Sequence, residues 1–330
     1  EPAADVINAI DDSTPPKMPK APEHDPESPP EPVPASAPEP TKVQTEAHRE
    51  VGDVPEPTHL LSPQVDFIAA FEVVEPAAAY QLLESQANVL ARIRKPVHWL
   101  GFNETTREWD VIVDDGQSAY RRIRVGLQLV DRQGPVSDGE LSIFGVAMQD
   151  LADELMAIAS LPARPVALQM AAELDAFCAS VDIQIGINVI SQGQVFAGTK
   201  LRALAEAAGM VIDADGRFVR CDEDGNVLYV LLNQENLVFS TESMKTMTTH
   251  GLTFLLDVPR VAHGERVFNQ MVELAKRFAD VLRGSLVDDN RRPLSEGALE
   301  PIRNQVAQFQ STMAAHGLPA GGSLARRLFS

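Results

Sequence analysis

The clearest pattern in the chain is the alternation of apolar residues with polar residues or glycine in VDIQIGINVI, residues 181–190. Successive side chains of a β-strand point to opposite faces of the sheet, so a period of two indicates a strand with one buried face. The segment therefore predicts a half-buried strand, and its apolar positions are Val181, Ile183, Ile185, Ile187 and Val189.

A helical period appears in ERVFNQMVELAKRFADVLRG, where apolar residues recur every three or four positions. We expect this helix to end at Gly284, because glycine adopts the left-handed conformation that often closes a helix. A last helix follows, with Ser295 as its cap and Pro301 inside it, where a proline removes a hydrogen bond and favours a kink. The other predicted elements are a short helix ending at Gly209 and strands at 217–221, 226–233 and 252–258.

The strands of this region carry apolar residues at both odd and even positions, so both faces of the sheet receive apolar side chains. An antiparallel sheet backed by helices ordinarily has a polar outer face, so apolar residues there favour a partner site. The alternative is that the preceding domain, or the loop with Met244 and Met247, covers this face. If Phe254 and Leu231 point to the helices, the residues that point away include Val219, Val230, Leu232 and Leu255.

Residues 64–180 show patterns in a similar order. VDFIAAFEVV (65–74) opens this region as VDIQIGINVI opens the next, and FGVAMQDLADEL (144–155) corresponds in place to MVELAKRFADVL (271–282). The order predicts a degenerate copy of one α+β domain, with chance similarity between two α+β domains as the alternative. We therefore expect an α+β domain at 64–180 and a second at 181–330.

Residues 1–63 differ in composition, because they hold 15 of the 24 prolines and many more acids than bases. Such a segment buries too little apolar surface to offset the entropy of ordering, and its prolines and like charges keep it extended. We expect a disordered acidic linker that acts as a spacer, with a proline-rich ligand as the alternative. Because the chain starts at Glu1 without methionine, we also expect that an anchor or signal segment precedes it.

The overall charge limits the partners. A net charge of −19 argues against nucleic acid, since phosphate-binding surfaces need clustered Lys and Arg. The two cysteines, Cys178 and Cys221, are too few for a disulfide framework. The sequence contains no apolar run long enough to span a membrane.

Two motifs are candidates for chemistry. GQVFAGTK (193–200) lies between a strand and a helix, but Thr199 precedes Lys200, whereas a phosphate loop needs Lys followed by Ser or Thr. In LVDDNRRPLSEG (286–297) the adjacent aspartates point to opposite sides if the strand continues, which favours a turn over a metal site. The seven histidines show no zinc-helix spacing. We therefore expect no cofactor, no metal and no enzymatic activity.

Three stretches resemble the C-terminal domain of the ZipA family of bacterial cell-division proteins: GLTFLLDVP, LNQENLVFSTESMKTMTTHG and FNQMVELAKRFADVLRGSLVDDNRRPLSEGAL. The resemblance covers about residues 181–311. It implies an α+β fold, a split β-α-β domain with one antiparallel sheet backed by helices on one face. The most specific element is the turn signature of Leu286, Val287, Asp288, Asp289, Arg291 and Arg292, which the resemblance marks as structural.

The resemblance also implies a function. Members are tethered to the cytoplasmic face of the inner membrane by an N-terminal helix and a proline-rich spacer. Their C-terminal domain binds the tail of FtsZ, the tubulin-like ring protein, in a shallow apolar groove on the sheet. The positions that correspond to the groove are Gln184, Gly186, Arg217, Val219, Leu232, Gln234, Thr253 and Leu255.

These positions depart from the family groove, which is richer in Met, Ile and Phe. Two other hypotheses therefore stay open. In one, residues 64–180 cover the sheet face and the partner binds elsewhere. In the other, the chain is an enzyme that binds phosphate or a nucleotide.

Overall fold

A computed structural model describes residues 56–235 and 237–330. The linker predicted for residues 1–63 lies outside the described residues as far as residue 55. From residue 56 the chain approaches the first sheet, and the buried Leu61 packs over Gly126 on that sheet. The last residues of the predicted linker therefore pack against the first domain.

We keep the names first domain and second domain for the predicted divisions, residues 64–180 and 181–330. The first contains an antiparallel five-stranded sheet in the order β3-β2-β4-β1-β7. A short two-stranded hairpin, β5-β6, follows β4. The strands are β1 (Asp66–Ala78), β2 (Val97–Asn103), β3 (Glu108–Val111), β4 (Ala119–Gln128), β5 (Val130–Asp131), β6 (Gly134–Pro135) and β7 (Ile158–Ser160). The helices are α1 (Ala79–Ser85), α2 (Ala87–Leu90), α3 (Asp138–Glu154) and α4 (Arg164–Val181).

The second domain contains an antiparallel six-stranded sheet in the order β10-β11-β12-β14-β8-β15. Its strands are β8 (Gln184–Ser191), β9 (Phe196–Ala197), β10 (Val211–Ile212), β11 (Phe218–Cys221), β12 (Val227–Asn233), β13 (Thr248–Thr249), β14 (Gly251–Asp257) and β15 (Gly284–Val287). Its helices are α5 (Gly198–Ala207), α6 (Gly264–Leu282) and α7 (Glu296–Ala315), with 3₁₀ turns at Ser243–Lys245 and Val258–Arg260. The last helix, α8 (Ser323–Leu328), packs in the first core through Ala325 and Leu328.

The alternation along the strands produces the second core. Ile187, Leu231 and Phe254 are fully buried in one cluster with Phe268 and Phe278 of α6. Helices α5 and α7 add Leu201, Leu299 and Val306 to the same cluster. Helices therefore back one face of this sheet, and the predicted combination of helices with antiparallel sheets is confirmed. The split β-α-β arrangement stays a prediction.

Two expected boundaries are wrong. Val181 does not begin a strand, because α4 continues through it and its side chain joins the first core; the strand starts at Gln184. Gly284 does not close α6 either. Arg283 adopts the left-handed conformation at the helix end, with φ of 55°, and Gly284 already belongs to β15. A Cβ at Gly284 would lie 2.8 Å from the Ile190 carbonyl oxygen, so close packing against β8 is what requires this glycine.

The two sheets are similar in order but differ in one connection. The central pair β4–β1 of the first sheet corresponds in place to β14–β8 of the second. In the first sheet the hairpin is β2–β3, and its earlier strand, β2, pairs with β4. In the second sheet the hairpin is β11–β12, and its later strand, β12, pairs with β14. The duplication therefore stays a prediction, with a reversed hairpin as its main difficulty.

Candidate partner-binding face

The sheet of the second domain has an outward face, defined here as the face opposite α5, α6 and α7. Residues directly opposite each other in neighbouring strands share a face. Register places Val211 opposite Val219, Val219 opposite Val230, Val230 opposite Leu255, and Leu255 opposite Gly186. We call these four apolar residues the aliphatic row; it crosses four strands and ends beside a glycine on a fifth.

The aliphatic row lies outside the second core. Val230 and Leu255 are half-buried, as is their neighbour Leu232 in the next row, and none of the three belongs to either apolar cluster. Val211 at the sheet edge is 61% exposed, whereas Val219 is only 5% exposed. A row of aliphatic side chains that the core does not use is a surface suited to an apolar partner.

A polar network occupies the neighbouring part of the face. Asn188 is the central residue, and its side-chain oxygen accepts hydrogen bonds from the Thr253 hydroxyl at 2.6 Å and from Gln234 Nε2 at 2.8 Å. The Asn188 Nδ2 group donates to Asp289 Oδ1 at 2.9 Å. Asn188 is 7% exposed, so these bonds satisfy an amide that is largely removed from water. The outward face therefore combines the aliphatic row with a polar network around Asn188.

The turn that begins at Asp288 brings Asp289 to this face. The Asp288 N–H donates to the Arg292 carbonyl at 2.9 Å, and the Asp288 carboxylate accepts from the Arg292 N–H at 2.7 Å. Arg291 takes the left-handed conformation, with φ of 60°. The stretch is thus a turn held by its first aspartate, as its sequence predicted, and the second aspartate projects over the sheet.

Gly186 leaves a gap in the side-chain layer. A Cβ at Gly186 would lie 3.4 Å from Asp289 Oδ1 and 3.6 Å from the Thr253 methyl group, which are ordinary contact distances. The gap therefore has Leu255 and Thr253 on one side and the Asp289 carboxylate on the other.

Arg217 is turned away from the centre of the face. Its guanidinium contacts Asp213 at 2.6 Å and Asp215 at 2.8 Å. Burial would raise the pKa of Asp213, but hydrogen bonds from the Arg217 side chain and backbone outweigh it and hold that pKa below its ordinary value of 3.8. Arg217 therefore stabilises the turn before β11 rather than presenting a free cation.

The first domain reaches the rim of the outward face. Arg132 bonds Asp182 and Asp257 at 2.7 Å each, and Asp257 lies opposite Gln184 in the register of β14 and β8. This double ion pair raises the pKa of Arg132, chiefly through its hydrogen bonds to Asp257. Further contacts between the domains lie elsewhere, including the stacked rings of Phe177 and His316.

The two methionines of the loop before β13, Met244 and Met247, lie away from the outward face. Both methionines are buried in the second core, where they pack against Gly198 at the start of α5. In the same region Lys200 donates to the Val281 carbonyl at 2.7 Å. The GQVFAGTK stretch thus contributes a tight turn into a helix, and its lysine contacts α6.

The eight residues predicted for the groove can now be placed. Thr253 and Gln234 bond the same network, and Leu255 and Gly186 are direct neighbours. The prediction omitted Val211, Val230, Asn188 and Asp289. The alternation of β8 and β12 already assigned Asn188 and Val230 to this face, whereas no local signal indicates Asp289. All eight predicted residues lie in or next to β8, β11, β12 and β14: Gln184, Gly186, Arg217, Val219, Leu232, Gln234, Thr253 and Leu255.

Comparison with known proteins gives the same family as the sequence motifs. Residues 183–305 match the family model described as ZipA, C-terminal FtsZ-binding domain. The second domain is similar to the ZipA C-terminal domain. The predicted resemblance over about residues 181–311 is thereby confirmed for most of its length, and the whole outward face lies inside the matched region. Residues 64–180 precede the match.

Curated relatives support the match at modest identity. The chain is 27% identical over 135 residues to the cell division protein ZipA of Vibrio vulnificus (strain YJ016), covering 39% of this chain and 43% of that protein. It is 26% identical over 152 residues to the ZipA of Ectopseudomonas mendocina (strain ymp), covering 44% and 56%. The chain thus matches about half the length of these relatives.

Two further observations concern the described residues alone. Between residues 56 and 330, apart from residue 236, no helix combines the length and apolar character needed to cross a membrane. Over the same residues, no cluster of three His, Cys, Asp or Glu side chains is arranged to hold a metal ion.

Proposed function

We propose that the chain is a non-enzymatic cell-division adaptor whose second domain binds FtsZ. The observation that carries the proposal is the aliphatic row, because it lies on the outward face of the domain that matches an FtsZ-binding family model. Val230 and Leu255 form the end of the row nearest Gly186, half-buried and unused by either core.

The ligand in this proposal is the C-terminal tail of FtsZ, which docks its apolar side chains on the aliphatic row. Burying two or three such side chains contributes roughly 4–8 kcal/mol before the costs of association and ordering. A micromolar Kd corresponds to about 8 kcal/mol net, so the expected micromolar affinity needs contacts beyond these apolar side chains. The groove residues inferred from the resemblance belong to this proposal, with Arg217 at its edge.

The cellular role follows from the resemblance and from composition. An anchor in the inner membrane, at its cytoplasmic face, would hold the chain, and the acidic proline-rich residues 1–63 would act as the spacer. A long spacer of this kind lets a fixed anchor reach a moving filament.

The test is titration of the full chain with a fluorescently labelled FtsZ tail peptide, read by anisotropy. Leu255→Glu places a charge in the aliphatic row and is expected to weaken binding at least about tenfold, or 1.4 kcal/mol. The matched control is Val281→Glu on α6, where the wild-type side chain is 40% exposed on the opposite side of the domain. Melting temperatures would verify that both variants fold.

Three outcomes separate the hypotheses. Micromolar binding that Leu255→Glu alone removes supports the adaptor and this face. Binding that neither substitution changes would move the partner to another surface, as in the hypothesis of a covered sheet face. Absence of binding by the wild-type chain would contradict the proposed partner and leave only the family likeness.

A further inference from the structure

We infer that the partner of the outward face presents a cationic side chain to Asp289, next to the apolar side chains that dock on the aliphatic row. This inference rests on the proposed function and specifies the chemistry of its ligand. It makes Asp289 a residue that determines specificity beside the aliphatic row.

The first step concerns the orientation of the carboxylate. Asn188 is fixed, since its oxygen accepts from two side chains and its NH₂ donates to Asp289 Oδ1. The turn that begins at Asp288 fixes the backbone of Asp289 from the other side. An exposed carboxylate would ordinarily sample several rotamers; here an almost buried amide positions it over the sheet.

The second step concerns the hydrogen-bonding capacity that is left. A carboxylate can accept about four hydrogen bonds, and the one described here, from Asn188, reaches only Oδ1. None of the ion pairs described for residues 56–235 and 237–330 includes Asp289. This differs from Asp213, Asp182 and Asp257, each of which holds an arginine of the same chain. Asp289 therefore retains capacity for a donor from outside.

The third step concerns space. The gap at Gly186 lies between the Asp289 carboxylate and the end of the aliphatic row at Leu255. Adjacent strands are about 5 Å apart, so one ligand residue on Leu255 leaves the next position near the gap. Lys and Arg fit such a place, because their methylene stems pack on apolar surface while the charged end reaches a carboxylate.

The experiment compares two substitutions that remove the same charge. Asp289→Asn keeps the shape and the acceptor for Asn188, whereas Asp280→Asn removes an exposed carboxylate from α6, on the helix side of the domain. The full chain and both variants are titrated with the FtsZ tail peptide at low and high salt. The same titrations use peptides in which each basic residue is replaced in turn by glutamine.

The expected result is that Asp289→Asn weakens binding about two- to fivefold at low salt, the range of a partly exposed ion pair, and flattens the salt dependence. Asp280→Asn should have no comparable effect. One glutamine-substituted peptide should bind the wild-type chain more weakly than the unmodified peptide does, but should bind the Asp289→Asn chain as well as the unmodified peptide does. The residue replaced in that peptide is then the cation that meets Asp289.

The outcomes separate a failure of this inference from a failure of the proposed function on which it rests. If Leu255→Glu abolishes binding while Asp289→Asn behaves like Asp280→Asn, the adaptor stands and the cation inference is overturned. Additive effects of Asp289→Asn and every peptide replacement would overturn it too. A wild-type chain that does not bind the peptide overturns both.

Discussion

Gly198 lies in GQVFAGTK, the stretch considered for phosphate binding, and its packing gives another reason for a glycine there. It opens α5 directly behind the loop with Met244, and a Cβ there would lie 2.6 Å from the Met244 carbonyl oxygen and 2.5 Å from Met247 Cγ. The backbone oxygen cannot swing aside as a flexible side chain can. Close packing therefore explains this glycine without a phosphate ligand.

Gly198→Ala is expected to lower the free energy of unfolding by about 1–3 kcal/mol, because the added methyl group overpacks the core. Urea denaturation of the full chain measures the change. Gly145→Ala is the matched control: Gly145 lies inside α3 with nothing within 4 Å of an added Cβ. That variant should gain up to about 1 kcal/mol from helix propensity. A neutral Gly198→Ala would contradict the packing account.

Pro301 lies inside α7, where a proline is expected to disrupt the helix. It is the sixth residue of α7, which nevertheless runs from Glu296 to Ala315. A proline at this depth has no N–H for the carbonyl one turn earlier, and its ring crowds that carbonyl. The helix persists because Leu299, Val306 and Met313 on its other side are buried. Tertiary packing here outweighs a local preference.

Pro301→Ala is expected to stabilise the chain by about 1–3 kcal/mol, since it restores one helical hydrogen bond and removes the clash. Pro165→Ala is the control, because Pro165 lies in the first turn of α4, where an N–H has no helical acceptor. That change should be nearly neutral or slightly destabilising. Thermal melts of the two variants test this, and equal shifts would rule out the helix argument.

The C-terminal residues connect the two domains, because they follow the second in sequence and pack in the core of the first. From the last turn of α7 onward the chain packs against the first domain, where Met313, Leu318, Leu328 and Phe329 join the first core. Arg327 pairs with the buried Asp66, and its Nη1 donates to the Leu60 carbonyl at 2.7 Å. Residues 313–329 thus complete the core that residues 65–181 form.

Phe329→Ala is therefore expected to destabilise the first domain by about 3–5 kcal/mol, the range for truncating a buried aromatic ring. Amide hydrogen exchange should show the loss of protection in β1 and β4, although Phe329 is far from both in sequence. Leu237→Ala, which alters a side chain that is 52% exposed, should change stability by less than about 0.5 kcal/mol. Loss of protection confined to the second domain would contradict this coupling.

Much of the fold was predictable because its elements carry their own period. The stripe of α6 and the pleat of β8, β12 and β14 are local patterns, and with them came the assignment of Val230, Leu232 and Leu255 to the outward face. Boundaries were less predictable. The end of α6 rests on a left-handed arginine, Arg283, because the neighbouring Gly284 is needed for contact with β8.

The helices and strands, the two-faced sheet and the family likeness follow from local sequence patterns, since each depends on residues close together in the chain. Contacts between distant residues follow only from the way the sheets and helices pack. Asp289 and Asn188 are 101 residues apart, and Arg327 and Asp66 are 261 apart. Hydrogen bonds and ion pairs of this kind are short-ranged and directional, so they form only after the sheets and helices have packed. The carboxylate on the outward face and the C-terminal contribution to the first core are therefore properties of the fold.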